Sequence, residues 1–153
     1  MTSDSKKILI AEDNPGLARV LSFKFQSCGF TPITCADGAT AWEAFQDTEI
    51  AAVVSDHEMP ALSGLELIAR IRQLRPEMPC FLVTGRKLEL SRDPRVIELG
   101  VQEVFGKPFS PAVVVEAVAE ATHTTLPERD IIPPINTVAG TLTAVPTFPG
   151  VHQ

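Results

Sequence analysis

No apolar run in this 153-residue chain approaches the roughly 20 residues that a membrane-spanning helix needs, so a spanning segment is not expected. Cysteine is scarce. Cys28, Cys35 and Cys80 are odd in number and lack close-paired spacing, which argues against a zinc knuckle or a disulfide framework and leaves reduced, half-buried thiols. Lys and Arg form no block and the formal net charge is −6, so the chain lacks the phosphate-neutralising footprint of a nucleic-acid binder. The polar start at residues 1–7 has neither the apolar stretch nor the cleavage site of a secretory leader, which places the expected protein in the cytoplasm.

What the chain does contain is 44% hydrophobic and 21% charged residues, the balance of one soluble globular domain with a single good core. Five short apolar runs alternate with segments of helical period, the pattern of a parallel sheet covered on both faces. Residues 7–11 read as the first strand. Asn14 then caps a helix with Pro15 in its first turn and Leu17, Leu21, Phe25 and Cys28 on one face, and Gly29 stops it. Residues 31–35 are a weaker strand whose Pro32 cannot donate to a ladder, which assigns it to an edge. A helix after Gly38 turns Ala41, Trp42 and Phe45 inward, and the apolar run 51–55, ending at Asp56, is a central strand. Residues 64–75 form a helix with Leu67, Ile68, Ile71 and Leu74 as its stripe, ended by Pro76, and 80–84 is the fourth strand. From 85 to 93 the pattern is poor, a long loop before a short fourth helix at 94–99 opened by Asp93-Pro94. Residues 101–105 are the fifth strand, and Ser110-Pro111 opens a last helix running to about 124. The expected fold is therefore α/β, a doubly wound five-stranded parallel sheet in a three-layer sandwich, with the domain over 1–126. Residues 127–153, broken by Pro127, Pro133, Pro134, Pro146 and Pro149 and nearly free of charge, read as a linker-like or disordered tail, with a docking peptide as the alternative.

In such a sheet the functional crevice lies beyond the carboxyl ends of the strands. Glu12 and Asp13 follow strand one, Asp56 strand three, Thr84 closes strand four and Lys107 follows strand five. With strand order 2-1-3-4-5, strands one and three are neighbours and their three carboxylates share one pocket. Like charges so close raise one another's pKa unless a divalent cation neutralises them, and oxygen-only donors without Cys or His favour Mg2+. Lys107 would supply a fixed positive charge and Thr84 a hydroxyl donor for the oxygens of a phosphoryl group, the electrostatic stabilisation that phosphoryl transfer requires. Each of these residues alone is equally at home as a turn or helix cap; it is the set of five that points to chemistry.

The ordered set Ile10-Ala11-Glu12-Asp13-Asn14, Asp56 with Met59-Pro60 and Gly64, Val83-Thr84-Gly85, Gly100 and Lys107-Pro108-Phe109 resembles the receiver domain of two-component response regulators over nearly all of residues 6–126. The resemblance implies a flavodoxin-like (βα)5 fold. It implies that Asp56 is the phosphoacceptor, attacking a phosphohistidine on a histidine kinase or histidine phosphotransfer protein. It also implies that Asp13, Asp56 and the backbone carbonyl of Glu58 hold Mg2+, with Glu12 acting largely through water, and that Thr84 and Lys107 contact the phosphoryl oxygens. The family's Lys-Pro bond is commonly cis, so Lys107-Pro108 is a candidate for that isomer.

The chain departs from the family pattern in places. Val104 stands three residues before Lys107, where the family usually has an aromatic that swings inward as its threonine moves, so the conformational output is expected to be smaller or differently routed. Phe105 should point to the other face. Glu58, two residues beyond Asp56, lies beside the path of an attacking water and is expected to tune phosphoryl lifetime, with a solvated loop acid as the alternative; His57 reads as a loop side chain. On the last helix Val114, Val118 and Ala121 should face the sheet, leaving Val113, Val115 and Ala117 on flanking or outer positions as a possible interface, including homodimerisation through the fourth helix, fifth strand and last helix. Two other functions fit the pattern less well. One is an interaction module that uses the fold without phosphorylation. The other is a Mg2+ phosphohydrolase with an aspartyl-phosphate intermediate, a class that typically places its nucleophile after the first strand, whereas Asp56 follows the third.

Overall fold

The computed structural model describes residues 5–127; the expected tail from 128 onward lies outside the described residues. Five parallel strands, β1 (Lys7–Ala11), β2 (Thr31–Cys35), β3 (Ala52–Asp56), β4 (Cys80–Thr84) and β5 (Glu103–Gly106), form one sheet in the order β2-β1-β3-β4-β5. The strand containing Pro32 is outermost, as a residue without an N–H donor demands. Every residue of β3 and β4 is buried, the signature of a sheet covered on both sides.

Side chains alternate across the pleat and build two cores. On one face Leu9, Val53, Leu82 and Val104 pack with residues of α2 (Gly38–Asp47), α3 (Gly64–Leu74), α4 (Lys87–Ser91) and α5 (Pro94–Glu98). On the other, Ile8, Ile10, Val54, Phe81 and Phe105 pack with α1 (Pro15–Ser27) and α6 (Pro111–Ala121). Phe105 stacks on Phe81 with ring centroids 6.2 Å apart, on the face opposite Val104.

Helix starts follow local chemistry. Asn14 Oδ1 accepts the Leu17 N–H at 3.1 Å, Asp37 accepts that of Thr40 at 2.7 Å, and Ser63 and Glu66 close a reciprocal capping box. These caps satisfy orphan N–H groups where the helices leave the strand ends, which fixes where the loops around the crevice begin.

The structure corrects three local expectations. Residues 87–91, read as loop, form the short helix α4; only Leu90 of it is buried, too little apolar repeat to register as a period. Leu74 is 57% exposed and Leu65 is buried instead: both lie about 90° from the centre of the buried arc, on opposite margins, and Leu74 is the last residue of the helix. Trp42 does turn inward, half-buried against the core and stacked on Phe45 at 6.2 Å. Val115 is fully buried rather than outward-facing: α6 packs against α1 as well as the sheet, so its buried arc widens to Val114, Val115, Val118 and Ala119.

Candidate functional site

The register carries the site. β1 pairs with β3 as far as Ala11 opposite Ser55, so the next residues, Glu12 and Asp56, emerge side by side. β4 and β5 pair up to Thr84 opposite Gly106, and the Lys107 N–H donates to the Thr84 carbonyl at 2.8 Å. Lys107 therefore leaves the sheet directly beside Thr84. The Lys107-Pro108 peptide is cis. Gly64, the first residue of α3, lets that helix close on the loop after β3: a Cβ there would lie 2.6 Å from the Asp56 carbonyl oxygen and 2.8 Å from His57 Cα.

Glu12 and Asp56 are 3% and 2% exposed, whereas Asp13 faces solvent. One carboxylate oxygen from each of the three lies within 4.8 Å of the others. Lys107 Nζ sits 3.2 Å from Asp56 Oδ2 and 3.5 Å from Glu12 Oε1. The other Glu12 oxygen accepts the Asn14 N–H at 3.0 Å, but buried Asp56 Oδ1 has no hydrogen-bond partner among the described residues. Burial, and then the neighbouring Glu12 charge, push the Asp56 carboxyl up to about 7 against the opposing pull of Lys107. For Lys107, partial burial acts downward but is outweighed by the Asp56 hydrogen bond and the Asp56 and Glu12 charges, so the ammonium is held above its ordinary value.

An orphaned buried carboxylate oxygen beside two further carboxylates is an electrostatic debt that a hard cation would relieve. The all-oxygen donor set fits Mg2+, and the exposed Asp13 leaves an open side. A cleft of about 500 Å3 lined in part by Glu12, Asp13, Pro15 and Arg19 opens on the β2 side. A second, of about 260 Å3, lies among His57, Glu58, Arg86, Glu89, Leu90 and Asp93.

The structure thus brings together Glu12, Asp13, Asp56 and Lys107. Thr84 is fully buried at the end of β4, and its hydroxyl donates not to Asp56 but to Glu58 Oε2, at 2.5 Å. That bond is absent from the sequence reading; its only trace there is an acid two residues after Asp56. His57 Nδ1 accepts the Leu65 N–H at 3.4 Å, a loop-to-helix tie consistent with a structural residue. Val113 is 41% exposed and Ala117 half-buried, and other exposed large apolar side chains include Phe23 on α1 and Leu88 and Ile97 on the two short helices.

Comparison with known proteins gives one consistent result. The family profile of the response regulator receiver domain matches residues 8–119. Curated relatives include the alkaline phosphatase synthesis transcriptional regulatory protein PhoP of Bacillus subtilis, 27% identical over 83% of this chain and 54% of that protein. Another is the sensor histidine kinase RcsC of Salmonella typhimurium, 31% identical over 77% of this chain and 12% of that protein. The chain thus spans about half the length, or much less, of these relatives. Among solved structures, the response regulator protein TrrA of Thermotoga maritima in complex with Mg2+ and BeF is 28% identical, with a TM-score of 0.69 over 76% of this chain and 98% of that one. The chemotaxis response regulator CheY4 of Vibrio cholerae, at 22% identity and a TM-score of 0.70 over 76% of this chain and 98% of that one, shares the fold.

Proposed function

This chain belongs to the response regulator receiver domain family, a family of signalling modules, and from that membership we propose that Asp56 is its phosphoacceptor. The observation that carries the assignment is the buried Asp56 carboxylate, with Lys107 on Oδ2, no hydrogen-bond partner for Oδ1 among the described residues, and carboxylate oxygens of Glu12 and Asp13 within 4.8 Å. Asp13, Asp56 and the Glu58 backbone carbonyl would hold Mg2+, with Glu12 acting largely through water. When bound, the cation neutralises the acidic cluster and the charge of the transferring phosphoryl group.

The chain's own residues do the rest. Asp56, once ionised, attacks the phosphorus of a phosphohistidine on a histidine kinase or histidine phosphotransfer protein; a P–O bond forms as the P–N bond breaks, and the imidazole leaves. Lys107, already paired with Asp56 Oδ2, stays beside the new acyl phosphate and balances its charge. Thr84 then turns its hydroxyl to a phosphoryl oxygen. Val104 is packed in the core where the family usually has a mobile aromatic, so the output runs through Thr84 and the short helices rather than through an aromatic swing. Exposed Ile97 and Val113 support self-association or docking through α5, β5 and α6, a proposal checked by light scattering over a concentration series with and without a phosphoryl mimic.

The phosphoacceptor is tested by incubating the native protein and Asp56→Asn with Mg2+ and acetyl phosphate and measuring intact mass. The native chain should gain one alkali-labile phosphoryl group and the variant none. Equal labelling of both chains would move the acceptor elsewhere.

A further inference from the structure

Thr84 has one hydroxyl proton to give, and in this structure Glu58 holds it. Thr84 Oγ1 donates to Glu58 Oε2 at 2.5 Å while accepting the Arg86 N–H at 2.9 Å. The other Glu58 oxygen lies 3.4 Å from the Gly85 N–H, so one carboxylate spans the whole turn that leaves β4. The threonine is fully buried and cannot donate to a second oxygen without leaving the first. Glu58 is exposed and sits on the loop only two residues beyond Asp56.

On the phosphoacceptor reading above, we propose that Glu58 is a latch: a positioning residue that keeps the Thr84 hydroxyl away from the acceptor site in the resting protein and surrenders it when Asp56 is phosphorylated. The exchange has a definite balance. One charge-assisted O–H···O bond to a carboxylate is broken and one to a phosphoryl oxygen is made, with no change in proton count. What drives it is repulsion between the Glu58 carboxylate and the phosphoryl group added nearby. The latch therefore opposes the active arrangement, and a phosphoryl mimic must overcome it to bind. This role differs from a barrier to attacking water, since it acts on Thr84 before any phosphoryl group arrives.

The test is a double-substitution cycle read with beryllofluoride and Mg2+, following the Gly85 and Arg86 amides by NMR. Glu58→Ala should bind the mimic about tenfold more tightly than the native chain, as expected for loss of one charge-assisted hydrogen bond from the resting state. Glu58→Gln, whose amide oxygen still accepts from a hydroxyl, should fall between them. Removing the Glu58 charge also lessens plain repulsion of the mimic, so the same change is repeated in a Thr84→Val background. The latch predicts that the gain there shrinks to about twofold. In the mimic-free native protein the Thr84 side chain should occupy one rotamer, and in Glu58→Ala several, by methyl coupling constants. An equal gain in both backgrounds, or an unchanged Thr84 rotamer, overturns the latch while leaving the receiver reading intact. Failure of the native chain and all variants to bind the mimic overturns the receiver reading, and the latch with it.

Discussion

Replacing Asp56 with asparagine should stabilise the cation-free protein at alkaline pH even as it removes the proposed acceptor. The Asp56 carboxyl titrates at about 7, against an ordinary value of 3.8, because it is buried and faces Glu12. Between those two values the folded protein keeps a proton that the unfolded chain has released, so stability falls as pH rises across that window and levels off above it. At about 1.4 kcal/mol per pH unit, a shift of roughly three units amounts to about 4 kcal/mol above neutrality. The pull of Lys107 is already contained in that shift, so the neutral variant should gain about 4 kcal/mol at pH 8 and about 1–2 kcal/mol at pH 5. For a domain of this size that is a rise in Tm of about 15 °C at pH 8. Thermal melts of both proteins in EDTA from pH 5 to 8 measure it directly. Added Mg2+ should raise the native Tm at pH 8 and leave that of the variant nearly unmoved. An Asp56→Asn protein no more stable than the native chain at pH 8 in EDTA would refute the claim that an ionised, under-partnered carboxylate strains this site.

Three further outcomes follow from packing. Gly64→Ala places a methyl 2.6 Å from the Asp56 carbonyl oxygen and 2.7 Å from Leu82 Cδ2, so it should cost about 2 kcal/mol in denaturant unfolding and weaken Mg2+ binding in a calorimetric titration. Arg72 donates to the carbonyls of Leu99 at 2.8 Å, Gly100 at 2.6 Å and Pro76, tying α3 to the end of α5. Arg72→Ala should therefore lower stability by about 1–2 kcal/mol and speed amide exchange across residues 94–100; unchanged exchange there would contradict the tie. Ile71→Ala should cost about 2–4 kcal/mol and Leu74→Ala under about 1, since the first side chain is fully buried and the second 57% exposed; equal losses would mean that the α3 stripe is misplaced.

Much of this architecture was legible in residue order because the signals were local and strong. Pro32 on a weak strand marks an edge, the continuous apolar run before Asp56 marks a centre, and Asn14-Pro15 and Ser110-Pro111 mark helix starts. Strand ends then place Glu12, Asp13, Asp56, Thr84 and Lys107 at one rim without any three-dimensional information. What stayed hidden depended on packing between elements distant in sequence. The burial of Val115 comes from α1 lying beside α6, and helix α4 is too short for its single buried leucine to show a period. The Glu58–Thr84 bond spans 26 residues, and its only trace in residue order is an acid two positions after Asp56.

The central claim is that Asp56 itself receives the phosphoryl group in this constellation of charges. After incubation with Mg2+ and acetyl phosphate, borohydride converts an aspartyl phosphate to homoserine, and peptide mass spectrometry then locates it. Homoserine should form at position 56, be lost when EDTA replaces Mg2+ and fall sharply in Lys107→Ala. Homoserine at Asp13 or another acid, or none in the native chain, would contradict it.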